Sequence, residues 1–287
     1  MKQLLILSGK GGTGKTTIAS AFIKLGTVKT YADCDVDAPN LHLITKWETS
    51  PQKEDYYGLD KAYINEDLCI KCNQCVLNCR FNAIETNESY KVNPFSCEGC
   101  SVCEHVCPTG AITMVPSVDG EMTLYSRDDE VFSTAELNMG SGTSGLLVTE
   151  VKKRMHSASK DVDLAIIDGS PGIGCPVIAS LNGVDMVLIV AEPSISGIND
   201  MERIILTARH FDIKVAVCIN KYDINLEKSQ KIETFCKNEN LPFVGKIPYD
   251  SSAVKAINNG QTIVDIDCIS GSAVKTVYEK TINLLLN

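Results

Sequence analysis

Residues 9–16 read GKGGTGKT and lie between an apolar segment, residues 2–8, and a segment with helical periodicity, residues 15–26. The spacing fits G-x4-G-K-[ST], the phosphate-binding loop that joins a strand to a helix. In such a loop, backbone N–H groups surround the phosphates and the helix N-terminus adds a positive field. This stretch predicts an α/β fold built around a nucleotide site. A glycine turn with a purely structural role is the alternative.

The loop predicts a role for each of its side chains. Lys15 is expected to reach the β- and γ-phosphates, and the Thr16 hydroxyl is expected to bind Mg²⁺. The remaining contacts to the nucleotide are expected from the rest of the loop and the first helical turn. These residues are Gly11, Gly12, Thr13, Gly14 and Thr17.

Apolar strands alternate with helices through most of the chain. Helical stretches are predicted at 143–159, 198–210, 226–238 and 270–285. Strands are predicted at 29–33, 162–167, 185–191, 213–219 and 241–247, with a strand pair at 121–137. Between Trp47 and Gly58 the sequence is polar and turn-rich. The pattern predicts a mostly parallel sheet covered by helices on both faces.

Eight of the 13 cysteines form two runs with the same spacing, C-x2-C-x2-C-x3-C. The first run is Cys69, Cys72, Cys75 and Cys79, and the second is Cys97, Cys100, Cys103 and Cys107. The second run follows the first by 28 residues, and an Ala-Ile pair repeats at the same interval. We therefore predict a small α+β insert of two similar halves at residues 59–116. It would divide the larger domain into residues 1–58 and 117–287.

The spacing of the two runs is that of bacterial ferredoxins, in which the fourth cysteine ligates the cluster of the other run. One [4Fe–4S] cluster would be held by Cys69, Cys72, Cys75 and Cys107, and the other by Cys97, Cys100, Cys103 and Cys79. Zinc sites with four cysteine ligands are the alternative. In the second run a proline, Pro108, follows the fourth cysteine, whereas Arg80 stands at the corresponding position of the first run. The charge of Arg80 could alter the electric field at the second cluster.

Residues 10–17, KGGTGKTT, resemble the deviant Walker A motif of the MinD/ParA ATPases, a group that includes the nitrogenase iron protein. The resemblance implies that Lys10 reaches across a homodimer to the phosphates bound by the other subunit. Residues 33–41, DCDVDAPNL, are similar to the first switch segment of the family. This implies that Asp35 orients the attacking water and that Asp33 lies near the magnesium. Solvated loop side chains are the alternative for all three.

Later segments continue the resemblance. Residues 164–172, LAIIDGSPG, look like a Walker B strand running into the second switch. This implies that Asp168 binds near Mg²⁺ and that Gly172 offers its N–H to the γ-phosphate. Asn220 resembles the base-recognition asparagine, and Pro248 would flank the adenine. A turn-forming role is the alternative for Asn220.

Cys175 lies at an offset from the second switch similar to that of a cluster-ligating cysteine in the nitrogenase iron protein. That arrangement needs an upstream partner cysteine, and residues 140–145 contain none. We therefore expect Cys175 to be a buried or interface thiol rather than a ligand. Most of the other scattered cysteines, Cys34, Cys218, Cys236 and Cys268, are expected to be small buried side chains.

Charge and hydropathy exclude some functions. The chain has 27 basic and 36 acidic residues, a net charge of −9, which argues against non-specific binding to nucleic acid or anionic membranes. No apolar stretch is long enough to span a bilayer, and the N-terminal segment lacks the pattern of a signal peptide, so a cytoplasmic location is expected.

The combined motifs predict a homodimeric ATPase that uses ATP/ADP, Mg²⁺ and two [4Fe–4S] clusters. ATP turnover would be coupled to electron transfer to an unidentified redox or assembly partner. The alternative is an ATPase in iron–sulfur or metallocofactor assembly, or in positioning a protein complex, with the clusters as sensor or docking element. A ferredoxin with an inactive nucleotide fold is a third possibility.

Overall fold

The computed structural model describes residues 1–45, 47–160 and 162–287. The strands in these ranges are β1 (Lys2–Leu7), β2 (Thr30–Asp33), β3 (Gln52–Tyr57), β4 (Lys61–Ile64), β5 (Ile84–Thr86), β6 (Tyr90–Val92), β7 (Ile112–Val115), β8 (Val118–Arg127), β9 (Glu130–Leu137), β10 (Leu164–Asp168), β11 (Met186–Ala191), β12 (Lys214–Asn220) and β13 (Phe243–Ile247). The helices are α1 (Lys15–Leu25), α2 (Gln74–Asn78), α3 (Val102–His105), α4 (Ser144–Ala158), α5 (Cys175–Leu181), α6 (Ile195–His210), α7 (Leu226–Asn238), α8 (Ser251–Asn258) and α9 (Ile269–Leu286).

The main sheet has the strand order β13-β12-β11-β1-β10-β2-β9-β8-β3. Neighbours from β13 to β9 are parallel, whereas β8 pairs antiparallel with both β9 and β3. The expected mostly parallel sheet is confirmed. Its central strands read as continuous apolar runs because both faces are covered; all six residues of β11 are buried.

Helices cover both faces of this sheet, as the sequence predicts. Leu5 and Leu7 of β1 belong to the core beneath α4, α5, α6 and α7. Leu4 and Ile6 belong to the opposite core, which includes apolar side chains of α1 and α9. Successive residues of a strand point to opposite faces, so β1 contributes to both cores at once. The loop after β1 is thereby anchored on a strand that is buried at every position after Lys2.

The polar stretch between Trp47 and Gly58 contains a strand that we did not expect. β3 pairs antiparallel with β8 and forms the edge of the sheet. Tyr56 is its single buried residue, and a cross-strand ion pair joins Lys53 to Glu121 at 2.6 Å. Backbone hydrogen bonds to β8 stabilise this strand. A polar sequence is compatible with it because an edge strand can leave its side chains in water. The sequence pattern also missed the short helices α5 and α8.

Between β3 and β8 in the chain, residues 61–115 form a smaller set of strands and helices outside the main sheet. β4 pairs antiparallel with β7, and β5 with β6, with α2 and α3 in corresponding positions of the two halves. The repeat is also visible in the backbone, because Asn73 and Ser101 begin α2 and α3 with φ values of 64° and 60°. The proposed boundaries at 58/59 and 116/117 fall between these elements and the main-sheet strands β3 and β8.

Candidate functional site

The glycine loop is fixed both by its own backbone and by the end of β12. Gly12 and Gly14 have φ values of 77° and 91°, a region that glycine adopts without strain. A Cβ on Gly14 would lie 2.3 Å from the side-chain nitrogen of Asn220. Asn220 Nδ2 donates a hydrogen bond to the Thr13 carbonyl at 2.6 Å, and Lys221 Nζ donates to the Gly12 carbonyl at 2.8 Å. The loop therefore depends on β12 for its shape.

A cavity of about 420 Å³ lies beside this loop. Its lining includes many of the residues expected to contact nucleotide, namely Gly11, Gly12, Thr13, Gly14, Lys15, Thr16, Thr17, Asp35, Asn220 and Pro248. Apolar residues outside the loop, including Ile247, Ala253 and Val274, also line it. A helix N-terminus together with apolar walls suits the phosphates and the base of a nucleotide.

Lys15 and Asp168 form a buried ion pair, with Lys15 Nζ 2.6 Å from Asp168 Oδ1. Burial disfavours the Lys15 ammonium, but the negative charges of Asp168 and Asp33 outweigh it and raise the pKa of Lys15. The other oxygen, Asp168 Oδ2, is buried and has no hydrogen-bond partner among the described residues. A carboxylate with one such oxygen at the end of β10 fits a magnesium ion or its bound water.

Asp33 ends β2 and Asp35 follows it, and the two carboxylates have different surroundings. The Asp33 carboxylate accepts N–H groups of Asp35, Asn40 and Leu41 at 2.9–3.0 Å, so it holds the turn that follows the strand. Burial and the charge of Asp168 raise the pKa of Asp33 to about 7. Asp35 is partly exposed and lines the cavity, and burial raises its pKa to about 6. Of the two, Asp35 is the carboxylate that faces the space where a nucleotide would lie.

Gly172 and Lys10 lie outside the cavity lining and make contacts within their own chain. The Gly172 N–H donates to the Ser8 carbonyl at 3.0 Å, and the φ of Gly172 is 93°. Lys10 Nζ lies 2.5 Å from Glu192 Oε2 and 3.3 Å from Ser194 Oγ. For either residue to contact a phosphate as the family resemblance implies, it would have to give up these partners.

The eight repeated cysteines line two small cavities in the smaller unit. One cavity is lined by Cys69, Cys72, Cys75 and Cys107. The other is lined by Cys97, Cys100, Cys103 and Cys79. The fold thus brings the fourth cysteine of each run to the first three of the other, which is the pairing expected from ferredoxin spacing. Arg80 is exposed in the turn that follows Cys79.

Corresponding cysteines in the two halves have corresponding surroundings. Backbone N–H groups of Ala83 and Ala111 donate to the Sγ atoms of Cys79 and Cys107 at 3.4 and 3.3 Å. Burial opposes ionisation of Cys107, but donors of Thr109 outweigh it and lower its pKa. N–H groups directed at sulfur stabilise a thiolate, the form that binds metal.

Cys75 and Cys103 occupy the same position in the two halves, and burial raises the pKa of both thiols. In the described part of the chain, no three His, Cys, Asp or Glu side chains converge as ligands of one metal ion. A [4Fe–4S] cluster distributes its four thiolates over different irons and has a different geometry. Cluster binding by these cysteines therefore stays a prediction.

The remaining cysteines divide by exposure. Cys34, Cys218 and Cys236 are buried, as expected, and burial raises their pKa values to about 12, 12 and 11. Cys268 is half-buried and its sulfur accepts the Gly271 N–H at the start of α9. Cys175 is exposed at the first residue of α5. Of the two expected roles, a buried thiol does not apply within a single chain, and the interface role stays a prediction.

Three residues near the site were not singled out from the sequence. Glu192, which contacts Lys10, directly follows β11. An acidic residue at the carboxyl end of a predicted parallel strand could have indicated from the sequence that it lies near the site. Lys221 directly follows Asn220. Lys152 is buried, and its Nζ donates to the carbonyls of Ser180 at 2.7 Å and Asn182 at 2.5 Å. In the sequence, the position of Lys152 next to Val151 on the apolar face of a predicted helix was the only indication that this lysine is buried.

A family model described as the CobQ/CobB/MinD/ParA nucleotide binding domain matches residues 4–263. The chain belongs to this family. A full-length relative, the "Uncharacterized protein MJ0578" of Methanocaldococcus jannaschii, is 33% identical over 286 residues, 97% of this chain and 95% of the relative. The fold of this MinD/ParA-type protein is that of the septum site-determining protein MinD of Pyrococcus horikoshii, with a TM-score of 0.59 at 17% identity, covering 99% of this chain and 96% of the other.

Two further relatives are named as an iron–sulfur cluster carrier and as a pyruvate synthase subunit. The iron–sulfur cluster carrier protein of Pyrococcus abyssi is 24% identical over 304 aligned positions, covering 99% of the MinD/ParA-type chain and 86% of the carrier. Pyruvate synthase subunit PorD of Methanocaldococcus jannaschii is 35% identical over 57 residues, 19% of this chain and 66% of PorD. That matched length is close to that of the proposed insert, residues 59–116.

The chain is thus a P-loop protein of a family of nucleotide-binding ATPases. None of the helices in the described ranges has the length and apolar character needed to cross a membrane.

Proposed function

We propose that this protein is a homodimeric ATPase whose ATP turnover is coupled to electron transfer through two [4Fe–4S] clusters in residues 59–116. The observation that carries the proposal is the crossed set of cysteines around each of the two cavities, on the same chain as a complete phosphate-binding loop. ATP and Mg²⁺ would bind in the cavity beside that loop. The absence of nucleic-acid and membrane partners stays a prediction from net charge and hydropathy.

At the nucleotide site, Lys15 would exchange Asp168 for the β- and γ-phosphates. The Thr16 hydroxyl and Asp168 would then bind the magnesium and its water, with Asp33 beside them. Asp35, which lines the cavity, would orient the attacking water. Asn220 and Pro248 would lie along the base. Asn220 has a second role, because its amide also holds the loop through Thr13.

Two residues would link hydrolysis to dimer formation. Lys10 would leave Glu192 and reach the phosphates in the other subunit, where its charge would act as an arginine finger does. Gly172 would redirect its N–H from the Ser8 carbonyl to the γ-phosphate. Both contacts exist within one chain, so both would have to be exchanged when ATP and a second subunit are present.

In the insert, Cys69, Cys72, Cys75 and Cys107 would hold one cluster, and Cys97, Cys100, Cys103 and Cys79 the other. When bound, such clusters supply one-electron transfer at potentials set by nearby hydrogen bonds, charge and solvent. The N–H groups of Ala83 and Ala111 would tune one sulfur in each half. The donor set supports this assignment, because each cavity has four cysteine sulfurs among otherwise mainly apolar walls.

The test is an anaerobic redox titration monitored by EPR, with ADP and with a non-hydrolysable ATP analogue. We expect iron for two clusters per chain and potentials that differ between the two nucleotides. Unchanged potentials, together with electron transfer to an acceptor that proceeds equally with ATP, with ADP and without nucleotide, would refute the coupling.

A second candidate is cluster delivery, supported by the similarity over nearly the whole chain to an iron–sulfur cluster carrier. It predicts that the loaded protein transfers iron and sulfide to an apo-ferredoxin in an ATP-dependent reaction. Retention of both clusters under those conditions would favour the electron-transfer proposal.

A further inference from the structure

The second-switch residue Gly172 has one N–H and two possible acceptors. In this structure the N–H donates to the Ser8 carbonyl at 3.0 Å, at the start of the glycine loop. It cannot make that bond and also donate to a γ-phosphate. If Gly172 donated to a γ-phosphate instead, it would have to leave Ser8, and the segment from Gly172 into α5 would take a second position.

Helix α5 is joined to α4 at both of its ends. At the C-terminal end, buried Lys152 of α4 donates hydrogen bonds to the carbonyls of Ser180 and Asn182. At the N-terminal end, a Cβ on Gly145 of α4 would lie 3.2 Å from Cys175 Cβ and 3.3 Å from the Cys175 carbonyl oxygen. Close packing at one end and charged hydrogen bonds at the other connect the two helices, so a displacement of α5 would act directly on α4.

The residues before α4 contact the smaller unit. A Cβ on Gly142 would lie 3.0 Å from Glu98 Oε2, and a Cβ on Gly140 would lie 3.6 Å from Phe95 Cδ1. Glu98 directly follows Cys97 and lines the cavity of Cys97, Cys100, Cys103 and Cys79. A displacement of α4 would therefore move the loop that lies against the carboxylate beside this cysteine set.

We propose that the α4–α5 pair and residues 138–143 form a mechanical link that transmits the nucleotide state from Gly172 to the cluster site of Cys97, Cys100, Cys103 and Cys79. This inference rests on the proposed function. It adds that one site receives the signal directly, because Phe95 and Glu98 belong to the second half of the repeat. A carboxylate displaced beside a cluster changes the local field and with it the potential of that cluster.

The repeat supplies a matched control. The positions 28 residues before Phe95 and Glu98 are Asp67 and Ile70 in the first half. Phe95 and Ile70 have similar exposure, 74% and 63%, so neither truncation removes core packing. We would compare the cluster-loaded wild type, the variant Phe95→Ala/Glu98→Ala and the variant Asp67→Ala/Ile70→Ala, each with ADP and with a non-hydrolysable ATP analogue.

Two readouts are needed. Hydrogen exchange of the wild type should change by about ten-fold or more between the two nucleotides at 172–182, 138–145 and 93–101, and less at 65–73. In EPR-monitored titrations, the change in potential between the two nucleotides should be larger at one of the two clusters than at the other. This larger change should disappear in Phe95→Ala/Glu98→Ala and persist in Asp67→Ala/Ile70→Ala.

Results that would contradict the mechanical link can be distinguished from results that would contradict the proposed function. Exchange that responds at 172–182 but not at 138–145 would overturn the inference, and so would a potential change that survives in Phe95→Ala/Glu98→Ala. Either result would leave the coupling itself in place by another route. Potentials that do not respond to nucleotide in the wild type, together with electron transfer that proceeds equally with ATP, with ADP and without nucleotide, would overturn the proposed function. The link would still be supported if exchange at 93–101 responds and that response is lost in Phe95→Ala/Glu98→Ala.

Discussion

Removing the charge of Glu192 is expected to tighten the ATP-bound homodimer. In the single chain Lys10 Nζ contacts Glu192 Oε2 at 2.5 Å, and the two side chains retain 38% and 23% exposure. A partly exposed ion pair of this kind contributes about 0.5–1 kcal/mol. Because a symmetric dimer releases two lysines, Glu192→Gln would save about 1–2 kcal/mol, or roughly 5–30-fold in the dimer dissociation constant.

The assay is sedimentation or mass photometry across a concentration series, with a non-hydrolysable ATP analogue. The gain should shrink as salt is raised, since the pair is partly exposed. Glu239→Gln is the control, because it removes one charge from an exposed pair with Arg209 at 2.9 Å, outside the nucleotide cavity. A Glu192→Gln protein that dimerises no more tightly than the Glu239→Gln protein would refute the reasoning. Adding Lys10→Ala to either variant should abolish the part of the ATPase activity that depends on protein concentration.

Three further predictions follow from individual contacts. Gly14→Ala forces a Cβ to 2.3 Å from Asn220 Nδ2 at a φ of 91°, so nucleotide affinity measured by calorimetry should fall by about ten-fold or more. Burial and the charge of Lys152 lower the pKa of His156 in the folded protein. As the pH drops below about 6.5, the unfolded state therefore binds a proton at His156 before the folded state does, and the free energy of unfolding falls. His156→Gln should flatten that part of a denaturation–pH profile relative to wild type, and an unchanged slope would contradict the assignment. Cys79→Ala should bind about half of the roughly eight irons expected for two clusters, whereas Cys175→Ala should bind them all.

The sequence was sufficient for features that depend on local pattern. Buried parallel strands appear as apolar runs, so β1, β11 and β12 were predicted close to their observed limits. The crossed proximity of Cys79 and Cys107 to the opposite runs was expected from spacing and is seen in the cavity linings. Cluster ligation by these cysteines stays a prediction, as do the roles of the nucleotide-site residues.

The sequence was insufficient where tertiary contacts decide the outcome. β3 exists because β8 supplies backbone partners, which its polar side chains do not reveal. The ion pair of Lys10 with Glu192 joins residues that are far apart in the chain and meet only because β1 and β11 are neighbours. The contact of Gly142 with Glu98 depends on how the insert lies against the loop before α4. No local periodicity contains that information.

The attachment of the smaller unit has a consequence for how such a chain can arise. Tyr57 is the register partner of Val118, so the chain leaves and re-enters the main sheet at adjacent positions on the edge strand β3 and its neighbour β8. Deleting what lies between them and closing the gap with a short turn would leave an ordinary β-hairpin. The proposed insert is thus attached at a point where its removal would not interrupt the main sheet. If it binds the proposed clusters, one insertion or deletion would add or remove that function without rebuilding the nucleotide site.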